Sequence, residues 1–289
     1  MDALDRLIDL ALDEDLGAAG DVTTTALVPA SVRGRGELVA KERLVFAGAE
    51  AFARVFQRVE PSAVVEFSYA DGARVEAGTT VAVVSASART LLIGERTALN
   101  LVQRLCGIAT LAAEAAEAVR GTRCRVLDTR KTSPGMRALS KLAVRSGGAG
   151  NHRFGLSDGV LIKDNHLAAM GGDVREALRR AREQAPRLVK VEIEVTSLDQ
   201  LEDAIGGGAD VVLLDNMDDA TVAEAVRRVR GRLQVEVSGG VTLERLPRLA
   251  ALGVDFVSMG ALTHSARAMD LSLELLPADG TASSSLPDE

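Results

Sequence analysis

The sequence predicts an α/β protein, in which a region of short strands is followed by an irregular or incomplete parallel α/β barrel. Three observations predict this. After Gly121, apolar runs of strand length alternate with amphipathic helical runs, the grammar of parallel strands joined by crossovers. A polar group closes each of those strands, as strands opening on one shared mouth require. A doubly wound sheet would instead concentrate ligand groups at a single switch point. Between Gly34 and Val84 the pattern differs: short strand-like runs surround one helix, which marks a separate domain.

Composition narrows the function classes. A chain of 289 residues can bury a sizeable core. It has no Trp, one Tyr and six Phe, too few aromatic platforms for stacking on single-stranded nucleic acid. The formal net charge of −7 argues against a general polyanion binder, so no nucleic-acid partner is expected. Cys106 and Cys124 lack metal-ligand or CxxC spacing and read as small buried residues in a reducing compartment. The first residues, MDALDRLIDLALDEDL, are acidic and amphipathic rather than a signal peptide, and no apolar run approaches a membrane span. A cytoplasmic location with no membrane partner is the expectation.

In chain order, Leu4, Leu7, Ile8, Ala11 and Leu12 recur at helical spacing, and Gly17 and Gly20 end that helix. Asp21 to Thr25 reads as loop. Strands follow in GELVAKERLVFAG, VVEFSY and TTVAVVSAS, interrupted by a helix over Ala49–Val59 that stops before Pro61. Asp71-Gly72 and Ala77-Gly78 mark turns. The hairpin-like DGARVEAGTTVAVV looks like a biotinyl or lipoyl carrier. Such a carrier needs a Lys at the hairpin tip, and Lys41, the only Lys in the first 130 residues, lies elsewhere. Residues 89 to 120 form helical stretches with Gly107 as a break. Arg96 interrupts their apolar surface and, on pattern alone, reads as a solvated or ion-paired residue. Beyond Gly121 the strands are RVLD, GVLIK, LVKVEIEV, DVVLLD, LQVEV and VDFVSMG. The helices between them include VREALRRAREQA, SLDQLEDAI, DATVAEAVRRV and TLERLPRLAAL. A disordered tail is expected over 277–289.

The chemistry concentrates in residues 128 to 166, DTRKTSPGMRALSKLAVRSGGAGNHRFGLSDGVLIKDNH. Four Arg and three Lys against three Asp make this stretch formally +4. A solvated basic face is the plain alternative. Against it, the cations are interleaved with Ser146-Gly147-Gly148-Ala149-Gly150, whose amides can approach a ligand closely, and they fall at strand ends. The expected ligand is small and heavily anionic. Ser238-Gly239-Gly240 and Gly260-Ala261-Leu262 follow the last two strands, where barrels build phosphate sites from loop amides. Glu192 and Glu194 alternate and so share one face of their strand, costly inside a barrel unless paired or bound to a cation. Asp215 on the next strand could join them around Mg²⁺. The alternative is a Glu–Lys pair with Lys163 or Lys190 and no metal.

The motifs DTRKT, SGGAGNHR, LIKDNH, VEIEV, LLDN, SGG and GALTHS resemble, in order and over nearly the whole chain, those of quinolinate phosphoribosyltransferases, also called carboxylating nicotinate-nucleotide pyrophosphorylases. The resemblance implies an N-terminal α/β sandwich domain over 1–106, to which 265–276 could also belong, and the barrel over 107–264. It further implies conversion of quinolinate and phosphoribosyl pyrophosphate to nicotinate mononucleotide, pyrophosphate and CO₂, with Mg²⁺, in a homodimer or larger assembly that shares active sites. It implies that Arg130, His152, Arg153 and Lys163 hold the quinolinate carboxylates, together with an Arg96 donated by a neighbouring subunit. By the same resemblance Lys131 contacts phosphoribosyl pyrophosphate, and Glu194 and Asp215 lie near ribose and metal. Ser238, Gly239, Gly240, Gly260 and His264 form the phosphate end, and Lys131, Lys163, Glu194 and Asp215 are the catalytic group. Whether Glu192 or Glu194 meets the ligand stays open. A same-fold enzyme acting on nicotinate itself and a non-catalytic phosphate-binding barrel are the two rivals.

Overall fold

The computed structural model describes residues 2–276 and divides into two compact units. The expected tail, 277–289, lies outside the described residues. The elements in chain order are α1 Ala3–Leu16, α2 Val22–Leu27, β1 Arg33–Ala40, β2 Leu44–Val45, α3 Ala49–Val59, β3 Val64–Phe67, β4 Arg74–Val75, β5 Thr80–Ser87 and α4 Ala88–Ala118. Then come β6 Arg125–Leu127, α5 Arg137–Ser146, β7 Val160–Ile162, α6 Asp164–Ala169, α7 Val174–Gln184, β8 Val191–Val195 and α8 Leu198–Gly206. The chain continues through β9 Val211–Asp215, α9 Asp219–Val229, β10 Gln234–Ser238, a 3₁₀ turn at Leu243–Arg245, α10 Leu246–Ala251, β11 Phe256–Ser258, α11 Ala261–His264 and β12 Leu271–Leu276.

Among the described residues the first unit comprises 2–110, 138–146 and 266–276. Its four-stranded antiparallel sheet runs β12-β1-β5-β3, so the last strand pairs with the first, Arg35 opposite Leu276 through Ala40 opposite Leu271. The buried Phe46, Phe52 and Phe56 pack around this sheet, with Phe52 edge-on to both Phe56 and Phe67. Two local expectations fail here. Asp21 to Thr25 is not loop but the start of α2. The Asp21 carboxylate accepts the Thr24 amide at 2.8 Å, an N-cap that offsets the weak helix propensity of three threonines. Gly107 does not break α4, which runs unbroken over 31 residues. A Cβ there would lie 1.7 Å from the Arg267 carbonyl oxygen, so this glycine serves a close backbone approach.

The second unit comprises 111–137 and 147–265. Its six parallel strands stand in the order β6-β11-β10-β9-β8-β7. Apart from β6, neighbours in the sheet are neighbours in sequence, the winding of a barrel. β6 and β7, the first two strands, do not pair, so the ring stays open at one step. All five residues of β8 are buried, as expected where helices cover one face and other strands the opposite one. Asp173, Ser197 and Asp218 cap α7, α8 and α9 by accepting the amides of Glu176, Gln200 and Thr221. The strand read from Leu188 starts only at Val191, and the run read as one helix from Thr242 splits into the 3₁₀ turn and α10, with Pro247 in the first turn. Among the described residues no helix is long and apolar enough to cross a membrane.

Candidate active site

Period-two alternation decides what the barrel interior receives. Glu194 on β8, Leu213 and Asp215 on β9, Glu236 and Ser238 on β10, and Ser258 on β11 all border a cavity of about 450 Å³ at the C-terminal ends of the strands. The connections that follow those ends complete the wall with Arg130, Lys131, His152, Arg153, Lys163, Asn216, Gly239 and Gly240.

A buried carboxylate sets the cationic side. Asp128, fully buried at the end of β6, accepts the His152 amide at 2.8 Å and the Asn151 side-chain amide at 2.7 Å. Gly150 bridges back to β6, and a Cβ on it would lie 2.6 Å from Leu127 Cδ2, so the loop can lie this close only with glycine. Arg153 donates to the Gly159 carbonyl at 2.8 Å. Burial, reinforced by the nearby positive charge of Arg130, pulls its guanidinium below the usual value. Arg130 Nε is buried with no hydrogen-bond partner in the structure, a donor suited to an incoming carboxylate.

The acids divide. Lys163 Nζ forms an ion pair with Glu194 through Oε2, on the cavity wall that Asp215 also borders. Lys190 instead donates to Gln234 at 2.7 Å. Glu192 faces His152, with Oε2 at 3.1 Å from Nε2, and Glu236 Oε1 stands 3.6 Å from the same nitrogen. Both expected inward acids are therefore buried inside, but only Glu194 borders the upper cavity. Glu236 is 2% exposed, and burial first, then the charge of Glu192, pushes its carboxyl up to about 7. Burial pulls His152 down, yet hydrogen bonding to Glu192 and the charges of Glu236 and Glu192 carry it upward on balance. The Arg153 amide works the other way: it donates to Nδ1 at 2.7 Å, and a nitrogen that accepts a hydrogen bond cannot also carry a proton. His152, Glu192 and Glu236 offer ligand atoms within 4.8 Å of one another. With Nδ1 accepting, the ring proton sits on Nε2, the atom a metal would need, so this trio reads as a hydrogen-bonded group.

At the opposite side, Gly239 and Gly240 take φ of +92° and +56°, and Asn216 is left-handed at +55°. A Cβ on Gly239 would sit 2.3 Å from Asn216 Oδ1. Glycine thus lets Asn216 fold over the loop and donate Nδ2 to Asp215 at 2.7 Å. Gly260 and His264 do not line the cavity but lie against Lys131, which does; a Cβ on Gly260 would come 3.0 Å from both His264 Nε2 and Lys131 Cδ. Arg96 belongs to the first unit, on α4, and does not line the cavity; it is exposed, with Glu95 at 4.0 Å. Of the expected site residues, all except Arg96, Gly260 and His264 are thus brought to one wall. Sequence reasoning missed Glu236, Ser258 and Asn216. The sequence offered one partial signal for Glu236: a lone acid between valines in QVEVS, a pattern that fits an inward and a solvent-facing position alike.

Burial pushes the Cys106 and Cys124 thiols up, to about 12 and about 11, in keeping with inert interior positions.

Two family descriptions match the chain, the N-terminal domain of quinolinate phosphoribosyl transferase over residues 21–106 and its C-terminal domain over 108–274. A nicotinate-nucleotide pyrophosphorylase (carboxylating) of Mycobacterium leprae is 45% identical, covering 95% of this chain and 98% of that protein. A mitochondrial quinolinate phosphoribosyltransferase (decarboxylating) of Nicotiana tabacum is 38% identical over 94% of this chain and 82% of its own length. The solved nicotinate-nucleotide pyrophosphorylase of Francisella tularensis superposes with a TM-score of 0.88 at 34% identity, covering 95% and 96% of the two chains.

Proposed function

The chain belongs to the quinolinate phosphoribosyl transferase family, and from that premise we propose that it converts quinolinate and phosphoribosyl pyrophosphate to nicotinate mononucleotide, pyrophosphate and CO₂ for de novo NAD synthesis. One observation supports this most directly. A single cavity carries Arg130, Arg153, His152 and Lys163, and with them Asp215, Glu194 and the Ser238-Gly239-Gly240 loop. Two carboxylates on adjacent ring carbons suit the cations, and a ribose phosphate suits the loop and its flanking acids.

The chemistry asks mainly for placement and charge. Departure of pyrophosphate leaves an oxocarbenium-like ribose carbon that the ring nitrogen attacks, so holding the partners in line and stabilising the leaving anion lower the barrier. Lys131, beside His264 and Gly260, is the cation we assign to the leaving group. Lys163 is held by Glu194 at the cavity wall, where it meets the quinolinate carboxylates. Asp215, its orientation fixed by Asn216, accepts from ribose hydroxyls. Asp215 and Glu194 are hard oxygen donors of the kind Mg²⁺ takes along with substrate phosphates, and the ion would add positive charge where pyrophosphate departs. Carbon dioxide then leaves from beside the ring nitrogen, which as a pyridinium receives the electron pair, so the substrate is its own electron sink. We place the reaction in the cytoplasm, in a homodimer or larger assembly where the partner subunit's Arg96 reaches the quinolinate carboxylates.

The test is product detection with quinolinate, phosphoribosyl pyrophosphate and Mg²⁺. Equimolar pyrophosphate, CO₂ and nicotinate mononucleotide are expected. Phthalate, which keeps both carboxylates but lacks the ring nitrogen, should bind without reacting. Comparable turnover of nicotinate would sink the assignment, because its single carboxylate leaves desolvated cations unpaired, at a cost on the order of 2–5 kcal/mol.

A further inference from the structure

The barrel holds a second cavity of about 220 Å³, bordered by the strand starts Val160, Val211, Gln234 and Phe256 and by Lys190. It therefore opens at the end of the barrel opposite the catalytic mouth. His152, Arg153 and Glu236 border both cavities and form the partition between them. Glu236 is the deepest of the three: the Ser258 hydroxyl donates to its carboxyl, while Oε1 is buried without a hydrogen bond.

The reaction proposed above, on which this inference rests, consumes one proton per turnover. When the bond from the ring carbon to the carboxylate breaks, CO₂ departs and the electron pair stays on the ring carbon, which must then be protonated. Few groups on the wall can give that proton. Arginine does not release one. Lys163 is engaged with Glu194, and the His152 Nε2–H faces Glu192 and Glu236 while its Nδ1 accepts the Arg153 amide. We propose that Glu236 is the proton donor for the ring carbon, and that the lower cavity is the water-filled passage through which it is recharged. The carboxyl O–H bond of Glu236 breaks, its proton joins the ring carbon, and the carboxylate left behind takes a proton from solvent entering between Lys190 and Phe256.

The surroundings favour a protonated Glu236 near neutrality. Burial and the Glu192 carboxylate on β8 hold its carboxyl up at about 7, against the opposing pull of His152, the Ser258 hydroxyl on β11 and Lys163 after β7. Lys190, ahead of β8, is the further charge at the lower cavity, where it is occupied by Gln234.

The experiment follows pyrophosphate and labelled CO₂ in the same single turnover of the full chain with quinolinate, phosphoribosyl pyrophosphate and Mg²⁺. In Glu236→Gln, pyrophosphate release should survive while CO₂ release falls by about 100-fold, the usual weight of a general acid. The phosphoribosyl quinolinate that still carries both carboxylates should accumulate, and Glu236→Asp should recover part of the CO₂ rate. The unmutated protein gives an independent reading: above pH 8, CO₂ release should lag pyrophosphate release, by roughly tenfold per further pH unit as the donor deprotonates. Equal rates of both products in Glu236→Gln, or no lag at high pH, would overturn the assignment. A wild-type protein that releases no pyrophosphate would instead overturn the reaction itself.

Discussion

Glu236→Gln should change the pH dependence of stability, whatever it does to activity. The carboxyl is 2% exposed and held up at about 7, against an ordinary 4.5, by burial and by Glu192. An acid whose folded value is raised binds its proton more tightly in the folded chain than in the unfolded one. Below pH 4.5 it is protonated in both states and contributes no pH dependence. Between 4.5 and 7 the unfolded chain has lost the proton while the folded chain keeps it, so stability declines as pH rises; above 7 both are ionised and the decline stops. At about 1.4 kcal/mol per pH unit the interval amounts to a few kcal/mol, most of it between pH 5 and pH 8. Glutamine has the same shape and does not titrate. The unfolding free energy of wild type minus that of Glu236→Gln should therefore drop by roughly 2 to 3 kcal/mol from pH 5 to pH 8. The subtraction removes the many other carboxylates. Urea unfolding followed by far-ultraviolet circular dichroism measures it, since the chain has no Trp to report by fluorescence. A difference constant within about 0.5 kcal/mol over that range would refute the argument, and would leave Glu236 no protonated form to use near neutrality.

Three further perturbations test other parts of the structure. Gly107→Ala would ordinarily strengthen a helix by about 1 kcal/mol, but its Cβ would meet the Arg267 carbonyl at 1.7 Å, so a loss of about 3 kcal/mol in urea unfolding is expected. Gly239→Ala puts a Cβ 2.3 Å from Asn216 Oδ1 at a φ of +92°, which should displace Asn216 from Asp215. The KM for phosphoribosyl pyrophosphate should rise by about tenfold or more while the Kd for quinolinate stays within about twofold, the difference of one charge-assisted hydrogen bond. Mixing Arg96→Ala with Lys163→Ala proteins under subunit exchange should restore up to about a quarter of wild-type activity, because half of randomly mixed dimers are mixed and each then has one intact site of two. No recovery under proven exchange would count against a shared site.

What the sequence made legible follows from what repeats along it. Period-two and period-3.6 patterning exposed the strand–helix alternation, because β8, β9 and β10 are buried on both faces and the helices around them on one. The Asp21 helix escaped because three threonines and one valine look like loop until the cap is counted. Gly107 escaped for a different reason: its role is set by Arg267, 160 residues away, and no local pattern carries that contact. The short α5, α6 and α11 lie inside stretches whose charges and glycines dominate the reading.

The site itself was unevenly legible, and the unevenness is physical. Its cations and glycine loops sit in connections, where unusual residues stand out against ordinary turns, so Arg130, Lys131, His152, Arg153 and Gly239 could be picked from the sequence. Glu236 sits in mid-strand, where one acid between valines reads equally well as a solvent-facing position. Only the closing of the barrel shows that β10 turns that residue inward, level with Leu213 on β9 and Phe256 on β11. The same register separates the two acids of VEIEV, since Glu194 pairs with Leu213 and reaches the upper cavity, whereas Glu192 pairs with Val211 and stops at the lower one. A two-residue step along one strand thus sets Glu194, paired with Lys163, apart from Glu192, which faces His152. Strand alternation predicts that both acids face inward, but their different depths depend on the pairing of β8 with β9.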